Sequence, residues 1–381
     1  MSTALATPAP ARPELRVAPG PHVTPRLELD VSRAVAGYAA LARTLPGTAV
    51  HYAVKANPHP ALLAALARAG ARFDVASPAE VRACLDAGAD PEDLVCSNPV
   101  KRRDDVAATA ALGVRLFVVD SPEETRKVAE AAPRAAVLCR LVTSGSGSDW
   151  PLSRKYGCST DEATAVLRLA ASLGLDPAGV SFHVGSQQRD PQAWRDPVEA
   201  SARIFRTLRA EGLRPHLLDL GGGFPAAHEG GAPAVPRYAD AIRGFLASAF
   251  GAERPATLVE PGRGIVGDAG TVVTRVIAVL RRGDARWVYL DCGVFTGLVE
   301  TLEEAIRYRL ETPGVAGPTG PCVLAGPTCD SADVMYERTP VTLPLALAEG
   351  DEVRIHSTGA YTACYSTVGF NGFDPLPTVL V

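Results

Sequence analysis

Residues 94–119 read LVCSNPVKRRDDVAATAALGVRLFVV and contain the unit from which we predict the fold. An apolar strand at 94–97 is followed by a helix over about 104–112, which ends at Gly113, and then by a second apolar strand at 116–119. A strand–helix–strand order of this length is typical of a parallel sheet that is covered by helices. The stretch therefore predicts an α/β fold.

The same alternation continues on both sides of this unit. Predicted strands lie at 49–54, 72–75, 94–97, 116–119, 136–141, 180–184, 216–220 and 257–260. Eight strand–helix units of this size predict a closed (β/α)8 barrel of the TIM type. In such barrels the chemistry lies at the carboxyl ends of the strands, where this sequence places several polar residues.

The pattern changes after Gly270. Strands are predicted at 271–282, 287–291, 322–325, 341–347 and 352–357, and the helical pattern is confined to about 300–309. We therefore predict a loose tail over 1–25, a barrel domain over 26–265 and a C-terminal, mainly β domain over 266–381. The strand predicted at 27–31 belongs to the barrel or joins the β domain.

Charge and cysteine usage exclude several classes of function. The 42 acidic and 38 basic residues do not form blocks, so neither a nucleic-acid nor a membrane-surface partner is expected. The eight cysteines form no CxxC pair, which favours reduced thiols over a disulfide framework or a metal site. No apolar run reaches the ~20 residues that span a bilayer, and the first 25 residues lack a secretory signal pattern. We expect a soluble, cytoplasmic protein without a metal.

Two residues at predicted strand ends suggest catalysis. Only four of the 38 basic residues are lysines, and one of them, Lys55, ends the first barrel strand. A lysine at a barrel mouth can form an imine with an aldehyde cofactor, although a solvated strand-end lysine fits as well. His183 ends another strand, where it either serves a cofactor or packs as a hydrogen-bonded histidine.

Two further motifs indicate a phosphorylated ligand. Gly221–Gly223 follow the seventh strand and Glu260-Pro-Gly-Arg263 follows the eighth. Loops after these two strands form the usual phosphate site of barrel enzymes, and successive backbone N–H groups can hold a phosphate. A carboxylate at position 260 would favour a protonated pyridine nitrogen. Taken singly, the glycines also fit a tight turn, and the glutamate also fits an ordinary salt bridge.

Six motifs in a fixed order carry a resemblance to a known family. They are Tyr52-Ala-Val-Lys-Ala-Asn, His183-Val-Gly-Ser, Gly221-Gly-Gly-Phe-Pro, Glu260-Pro-Gly-Arg, Gly326-Pro-Thr-Cys-Asp and Gly359-Ala-Tyr-Thr. From about residue 30 onward the chain resembles the barrel decarboxylases of alanine-racemase fold (fold type III), which use pyridoxal 5'-phosphate. The tracts at 148–157, 330–334 and 368–373 resemble the bacterial ornithine/lysine decarboxylases in particular.

The resemblance implies a role for each matched residue. Lys55 would bind the cofactor covalently, His183 would stack on its ring and Glu260 would bind the ring nitrogen. The phosphate would be held by Gly222, Gly223, Arg263, Ser186 and Tyr361, while Asp74 and Arg140 would line the site. Cys329 and Asp330 would reach across from a second subunit of a homodimer. Cys329 would help to reprotonate the substrate carbon, and Asp330 would approach the distal amine.

The resemblance implies decarboxylation of ornithine or lysine to the diamine and CO2, as in bacterial polyamine biosynthesis, and leaves the exact substrate open. The eukaryotic ornithine enzymes have an aspartate where this chain has Cys292. Asp291 and Glu300 are further candidate partners for the distal ammonium, but a shift of one residue along a strand turns a side chain to the opposite face. Another basic amino acid of a specialised pathway remains an alternative. So does diaminopimelate, although that branch usually shows Cys-Glu-Ser-Gly where this chain has Cys329-Asp-Ser-Ala.

Two other functions compete on the same barrel. Glu260 argues against a racemase. Racemisation needs less electron withdrawal by the ring, which an arginine at that position would suit better than a glutamate. A catalytically inactive regulatory homologue is opposed by Lys55 and Cys329, which such a protein would not need.

The flexible composition of residues 144–149 makes that stretch the predicted lid.

Overall fold

The computed structural model describes residues 23–152 and 154–381. Most of the predicted tail lies outside the described residues. In the N-terminal part of the chain the helices and strands are β1 (Arg26–Leu29), α1 (Val31–Thr44), β2 (Thr48–Ala53), α2 (Pro60–Arg68), β3 (Arg72–Val75), α3 (Pro78–Asp86), β4 (Leu94–Cys96), α4 (Arg103–Ala111), β5 (Leu116–Val119), α5 (Pro122–Ala131), β6 (Ala136–Leu141), β7 (Ser148–Trp150), α6 (Thr160–Ser172), β8 (Asp176–Phe182), β9 (Ser186–Gln188), α7 (Arg195–Ala210), β10 (Leu217–Asp219), α8 (Val235–Phe250), β11 (Ala256–Val259) and α9 (Arg263–Val266).

Eight of these strands close into a parallel barrel in the order β10-β11-β2-β3-β4-β5-β6-β8. Strand β11 pairs with β2, with Val259 opposite Val50, so the last strand of the barrel joins the first. The predicted (β/α)8 barrel is therefore confirmed. Strands β7 and β9, which lie outside the barrel, form a small antiparallel pair.

Local sequence signals explain where the barrel helices begin. Ser77 and Ser121 cap helices α3 and α5 by accepting hydrogen bonds from the backbone N–H three residues later, and a proline follows each cap. Ser159 and Glu162 form a capping box at the start of α6. These caps fix the direction in which each chain segment leaves the barrel mouth.

The C-terminal part of the chain is mainly β. Its strands are β12 (Gly270–Arg282), β13 (Ala285–Leu290), β14 (Arg309–Glu311), β15 (Thr319–Ala325), β16 (Val334–Pro344), β17 (Glu352–His356) and β18 (Thr378–Leu380). They form one sheet with β1, which pairs with β12 on one side and with β18 on the other. The hydrogen bonds of β1 are therefore made in this sheet and not in the barrel.

The helix predicted at 300–309 is wrong. Residues Val299–Glu304 form 3-10 turns that are interrupted at Leu302 and at Glu303, where φ is +56°, and β14 follows. Glu304 holds this bend, because its carboxylate accepts hydrogen bonds from the backbone N–H groups of Arg338 and Thr339. A contact across the sheet therefore overrides the local helical pattern.

Each part of the fold has its own buried apolar cluster. The larger cluster lies between the barrel strands and their helices, and a smaller one, with Val95, Val118, Leu138 and Ala178, comes from barrel strands β4, β5, β6 and β8. A third cluster is formed by buried side chains of the C-terminal β sheet and its connecting segments. Among the described residues, no helix is both long and apolar enough to cross a membrane.

Candidate active site

A cavity of about 530 Å³ lies at the carboxyl ends of the barrel strands. Its walls include Lys55, Arg140, His183, Ser186, Glu300 and Tyr361. A second cavity of about 630 Å³ lies between the loop at 142–146 and the start of α7, and it contains none of the predicted site residues. The chemistry therefore belongs to the first cavity, which we call the barrel-mouth cavity.

Lys55 lies in a 3-10 turn directly after β2. Its Nζ is 3.0 Å from Oδ2 of Asp74, which is buried at the end of β3. Burial disfavours the charged amine, but the negative charges of Asp74 and Glu260 outweigh it and raise the pKa of Lys55 well above its ordinary value. The lysine side chain is still 47% exposed, so an aldehyde can reach it from the cavity.

Glu260 follows β11 and is buried at the base of the site. Ser97, directly after β4, donates a hydrogen bond to its carboxylate. Burial, followed by the neighbouring carboxylates of Asp219 and Asp74, raises the pKa of Glu260 well above its usual range. A protonated pyridine nitrogen would supply the positive charge that this carboxylate cluster favours.

The glycines after β10 leave room beside Glu260. A side chain at Gly222 would place its Cβ 2.6 Å from the carbonyl oxygen of Glu260 and 3.1 Å from Nε2 of His183. Gly223 has a φ of +104°, and its Cβ would lie 2.6 Å from the carbonyl oxygen of Gly185. Only glycine fits these close approaches to the neighbouring backbone and to the His183 ring.

Arg263 begins α9 beside these glycines. Its Nη2 contacts Oε1 of Glu300 at 2.6 Å and Oγ of Ser186 at 3.2 Å, and its guanidinium lies 4.9 Å from the ring centre of Tyr361. Its Nη1 is buried and has no hydrogen-bond partner among the described residues. A buried unpaired donor is costly, so an anion at this point would complete the arrangement.

His183 and Arg140 also line the barrel-mouth cavity. Nδ1 of His183 accepts a hydrogen bond from the backbone N–H of Gly185 at 3.0 Å. Burial, followed by the charges of Arg140 and Lys55, lowers the pKa of His183 well below its ordinary value, so the ring is neutral. The guanidinium of Arg140 lies 5.5 Å from the ring centre of Tyr156. A neutral imidazole can stack on an aromatic ligand without the cost of a buried charge.

Cys329, Asp330 and Asp291 are not among the residues that line the barrel-mouth cavity of this chain. Cys329 and Asp330 are exposed on the loop between β15 and β16. Asp291 follows β13, and its carboxylate accepts hydrogen bonds from Thr24, Thr274 and the backbone N–H of Arg275. Asp291 thus faces β12, whereas Glu300 does line the cavity.

Ser97 and Tyr365 also line the cavity, although neither was predicted from the sequence. Ser97 ends a barrel strand, so the rule that singled out the other strand-end residues applies to it as well. Tyr365 lines the cavity, and its ring centre lies 5.7 Å from that of Tyr361. No local pattern distinguishes Tyr365 from an ordinary loop tyrosine.

The stretch at 144–149, which is the predicted lid, is held at its end by an ion pair. Nη2 of Arg189 lies 2.6 Å from Oδ2 of Asp149.

The residues present fit pyridoxal phosphate. Lys55 offers an amine for the aldehyde, Glu260 a carboxylate for the ring nitrogen, and the free Nη1 of Arg263 beside the glycines a site for the phosphate. The neutral His183 offers a flat face for the ring. Lys55 and His183 line the barrel-mouth cavity directly, and Glu260 and Arg263 contact the lining residues Ser97, Ser186 and Glu300.

Comparisons with known proteins agree with this geometry. Residues 31–267 match the family model described as the pyridoxal binding domain of pyridoxal-dependent decarboxylases. The lysine/ornithine decarboxylase of Selenomonas ruminantium is 34% identical over 94% of this chain and 89% of its own. Antizyme inhibitor 2 of Xenopus laevis is 31% identical over 91% of this chain and 79% of its own.

A solved structure shows the same fold. The lysine/ornithine decarboxylase of Vibrio vulnificus, complexed with cadaverine, superimposes with a TM-score of 0.85 at 32% identity, covering 94% of each chain. The family resemblance seen in the sequence is thus confirmed. The chain belongs to the pyridoxal-dependent decarboxylases of barrel fold, whose cofactor is pyridoxal 5'-phosphate.

Proposed function

We propose that this enzyme decarboxylates a basic L-amino acid, lysine or ornithine, to the corresponding diamine and CO2. One observation carries the reaction type: the buried carboxylate of Glu260 accepts a hydrogen bond from Ser97, which lines the same cavity as the Lys55 amine. Bound pyridoxal phosphate supplies an electron-withdrawing pyridine ring for the electrons of the breaking carboxylate bond. Glu260 keeps the ring nitrogen protonated, which suits decarboxylation better than racemisation.

The remaining residues hold and orient the cofactor and substrate. Lys55 binds the cofactor and gives way to the substrate amine, while Asp74 orients the lysine and stabilises its charge. Gly222, Gly223, Ser186, Arg263 and Tyr361 hold the phosphate. His183 packs on the ring face, and Arg140 lines the wall next to it. Each of these roles is a proposal for this chain.

A basic substrate needs an acidic partner for its distal ammonium, because an unpaired buried charge is costly. Glu300 is the carboxylate that lines the barrel-mouth cavity among the described residues. It is already paired with Arg263, so a second carboxylate is needed for the full charge balance. We assign that part to Asp330 of a second subunit. Asp291 would contribute only if its three hydrogen bonds were broken.

We propose a homodimer with shared active sites. Tyr365, which lines the cavity, is 48% exposed, and Val368, Phe370 and Phe373, in the segment whose Asn371 contacts Cys329, are 85%, 37% and 37% exposed. An apolar surface of this kind is typical of a protein interface. A second copy would cover it and bring its Cys329 and Asp330 to the cavity. The Cys329 thiol then gives its proton to the substrate carbon that has lost CO2, and the thiolate regains a proton from water.

We also propose the division into a barrel domain over 26–265, whose first strand pairs with the sheet of the β domain, and a β domain over 266–381. We further propose a cytoplasmic enzyme of bacterial polyamine biosynthesis or of a specialised pathway. The cysteines of the described residues are all free, which fits a reducing compartment.

A panel of substrates tests the proposal. Release of CO2 is measured with L-ornithine, L-lysine, L-arginine and diaminopimelate, together with their D-isomers, in wild type and in Glu300→Gln. We expect activity on L-lysine or L-ornithine, with a raised KM in Glu300→Gln. A preference for diaminopimelate would overturn the substrate assignment. An absence of CO2 release from every substrate by cofactor-loaded protein would favour the inactive regulatory homologue.

A further inference from the structure

We propose that Asn371 is a positioning residue for Cys329, holding its Sγ in one orientation. This inference rests on the proposed role of Cys329 as a proton donor. The amide oxygen of Asn371 lies 3.2 Å from the backbone nitrogen of Cys329 and 3.5 Å from its Sγ. One oxygen therefore accepts two hydrogen bonds from the same residue.

The backbone N–H of Cys329 shows which atom of the Asn371 amide faces it, and this in turn shows that the thiol is the donor in the second contact. A backbone N–H can only donate, so the atom of the Asn371 side chain that faces it must be the oxygen and not the NH2 group. That oxygen has no proton to offer. Cys329 must therefore carry its own proton in order to donate to it. Asn371 thus holds the Sγ of Cys329 in one orientation through a contact in which the thiol is the donor.

The turn that carries Asn371 is built to present the amide. Asn371 has a φ of +51°, a conformation that asparagine adopts more readily than most other residues. Gly369 and Gly372, with φ of +75° and +81°, flank it and close a tight turn through the hydrogen bond from Gly372 N–H to the Gly369 carbonyl. The ring of Phe370 packs 4.9 Å from that of Phe295, which anchors the turn.

The loop that carries Cys329 is also fixed. The buried carboxylate of Asp333 accepts hydrogen bonds from the backbone N–H and the hydroxyl of Thr328, and from the backbone N–H of Val294. The carbonyl of Asp330 accepts from the N–H of Asp333, which closes the loop. Because both loops are held in place, the Asn371–Cys329 contact determines the orientation of the thiol.

Two substitutions separate the amide from the backbone of the turn. Asn371→Gly keeps the left-handed conformation but removes the acceptor, whereas Asn371→Asp keeps acceptor oxygens at the same position. Alkylation of the cofactor-loaded enzyme by iodoacetamide is followed by peptide mass spectrometry at Cys329. Cys364 is the internal reference, because it is also exposed but bonds to the carbonyls of Lys55 and Ala56.

We expect Asn371→Gly to raise the alkylation rate of Cys329 roughly five-fold, the effect of losing one modest hydrogen bond, with no change at Cys364. The same variant should lower kcat and leave KM unchanged. Asn371→Asp keeps acceptor oxygens and adds a negative charge that disfavours a neighbouring thiolate, so it should not raise the alkylation rate. Unchanged alkylation of Cys329 in Asn371→Gly, or an equal rise at Cys364, would overturn the inference.

A third variant keeps this test separate from the proposed function. Full turnover by Cys329→Ala would overturn the role of the thiol itself, and with it the inference. An inactive Cys329→Ala combined with a wild-type alkylation rate in Asn371→Gly would overturn the assignment of Asn371 alone.

Discussion

Arg263 and Glu300 form a buried ion pair at the edge of the barrel-mouth cavity, with Nη2 of Arg263 2.6 Å from Oε1 of Glu300 and side chains that are 2% and 6% exposed. The hydroxyl of Tyr308 also donates to Glu300, at 3.4 Å. The glutamate thus occupies one side of the guanidinium and leaves Nη1 for another acceptor. A single arginine would therefore serve both a phosphate and a carboxylate.

Replacing Arg263 should weaken phosphate binding selectively. We expect Arg263→Gln to reduce the affinity for pyridoxal phosphate much more than the affinity for pyridoxal, which lacks the phosphate. Titration of the ligand-free protein with both compounds measures the difference. Glu300→Gln is the matched control, since it breaks the same ion pair but keeps the arginine. Equal losses for the two ligands in Arg263→Gln would contradict a phosphate role.

Lys55 should be the only site of covalent cofactor attachment. Borohydride reduction of the loaded enzyme, followed by peptide mass spectrometry, should place the pyridoxyl group on Lys55. Lys55→Ala should lose both this adduct and the visible absorbance of the bound cofactor. Lys155→Ala is the control, because Lys155 lines the same cavity. An adduct on Lys155 in the wild-type enzyme would remove the basis of the assignment.

Glu260→Gln should leave the cofactor bound and slow CO2 release. The amide keeps the size of the side chain and an acceptor for Ser97, but it cannot carry the negative charge that stabilises a protonated ring nitrogen. Loss of one such electrostatic partner in a buried site lowers kcat by roughly 10² to 10³. Cofactor content and kcat are measured on the same preparation. A wild-type kcat would exclude the role of Glu260.

Stability should fall in acid because His51 is buried and neutral. Burial, followed by the charge of Arg72, lowers the pKa of His51 from 6.5 to about 4. Between these values the unfolded chain binds a proton that the folded chain does not, so the free energy of unfolding is highest above pH 6.5 and decreases as the pH falls toward 4. One such proton contributes a slope of about 1.4 kcal/mol per pH unit.

Urea denaturation across this pH range tests the assignment. His51→Gln should show a shallower loss of stability than wild type, whereas His216→Gln, at an exposed position, should keep the wild-type slope. Identical slopes in wild type and His51→Gln would show that other groups cause the acid sensitivity.

Shared active sites predict complementation between inactive subunits. Lys55→Ala and Cys329→Ala enzymes, each inactive alone, should regain part of the activity when they are mixed under conditions of subunit exchange. The mixed dimer would contain one site with both an intact lysine and an intact thiol. Exchange is verified with differently tagged subunits. Exchange without recovered activity would argue that each chain builds its own complete site.

The barrel could be predicted because its signals are local. Strands β3, β5 and β6 have the predicted bounds, since short apolar runs separated by capped helices specify them directly. The turns at Val299–Glu304 could not be predicted, because the carboxylate of Glu304 is held by backbone groups of β16, more than thirty residues away in the sequence. Local periodicity contains no record of such a contact.

The candidate site likewise contains residues that local sequence predicts and contacts that it does not predict. Lys55, His183 and Glu260 were identified because each follows a barrel strand, and the topology brings strand ends together. The Ser97 contact with Glu260 and the Asn371 contact with Cys329 depend on side-chain directions between segments 163 and 42 residues apart. Motif spacing cannot reveal such pairings.

Strand β18 covers one edge of β1, with Leu27 opposite Thr378 and Leu29 opposite Leu380. Deleting residues 378–381 would leave a row of backbone N–H and C=O groups of β1 without partners. An open edge of this kind recruits strands from other molecules. A truncated chain should therefore aggregate although the active site in its barrel is intact. By covering the edge of β1, the last strand prevents self-association.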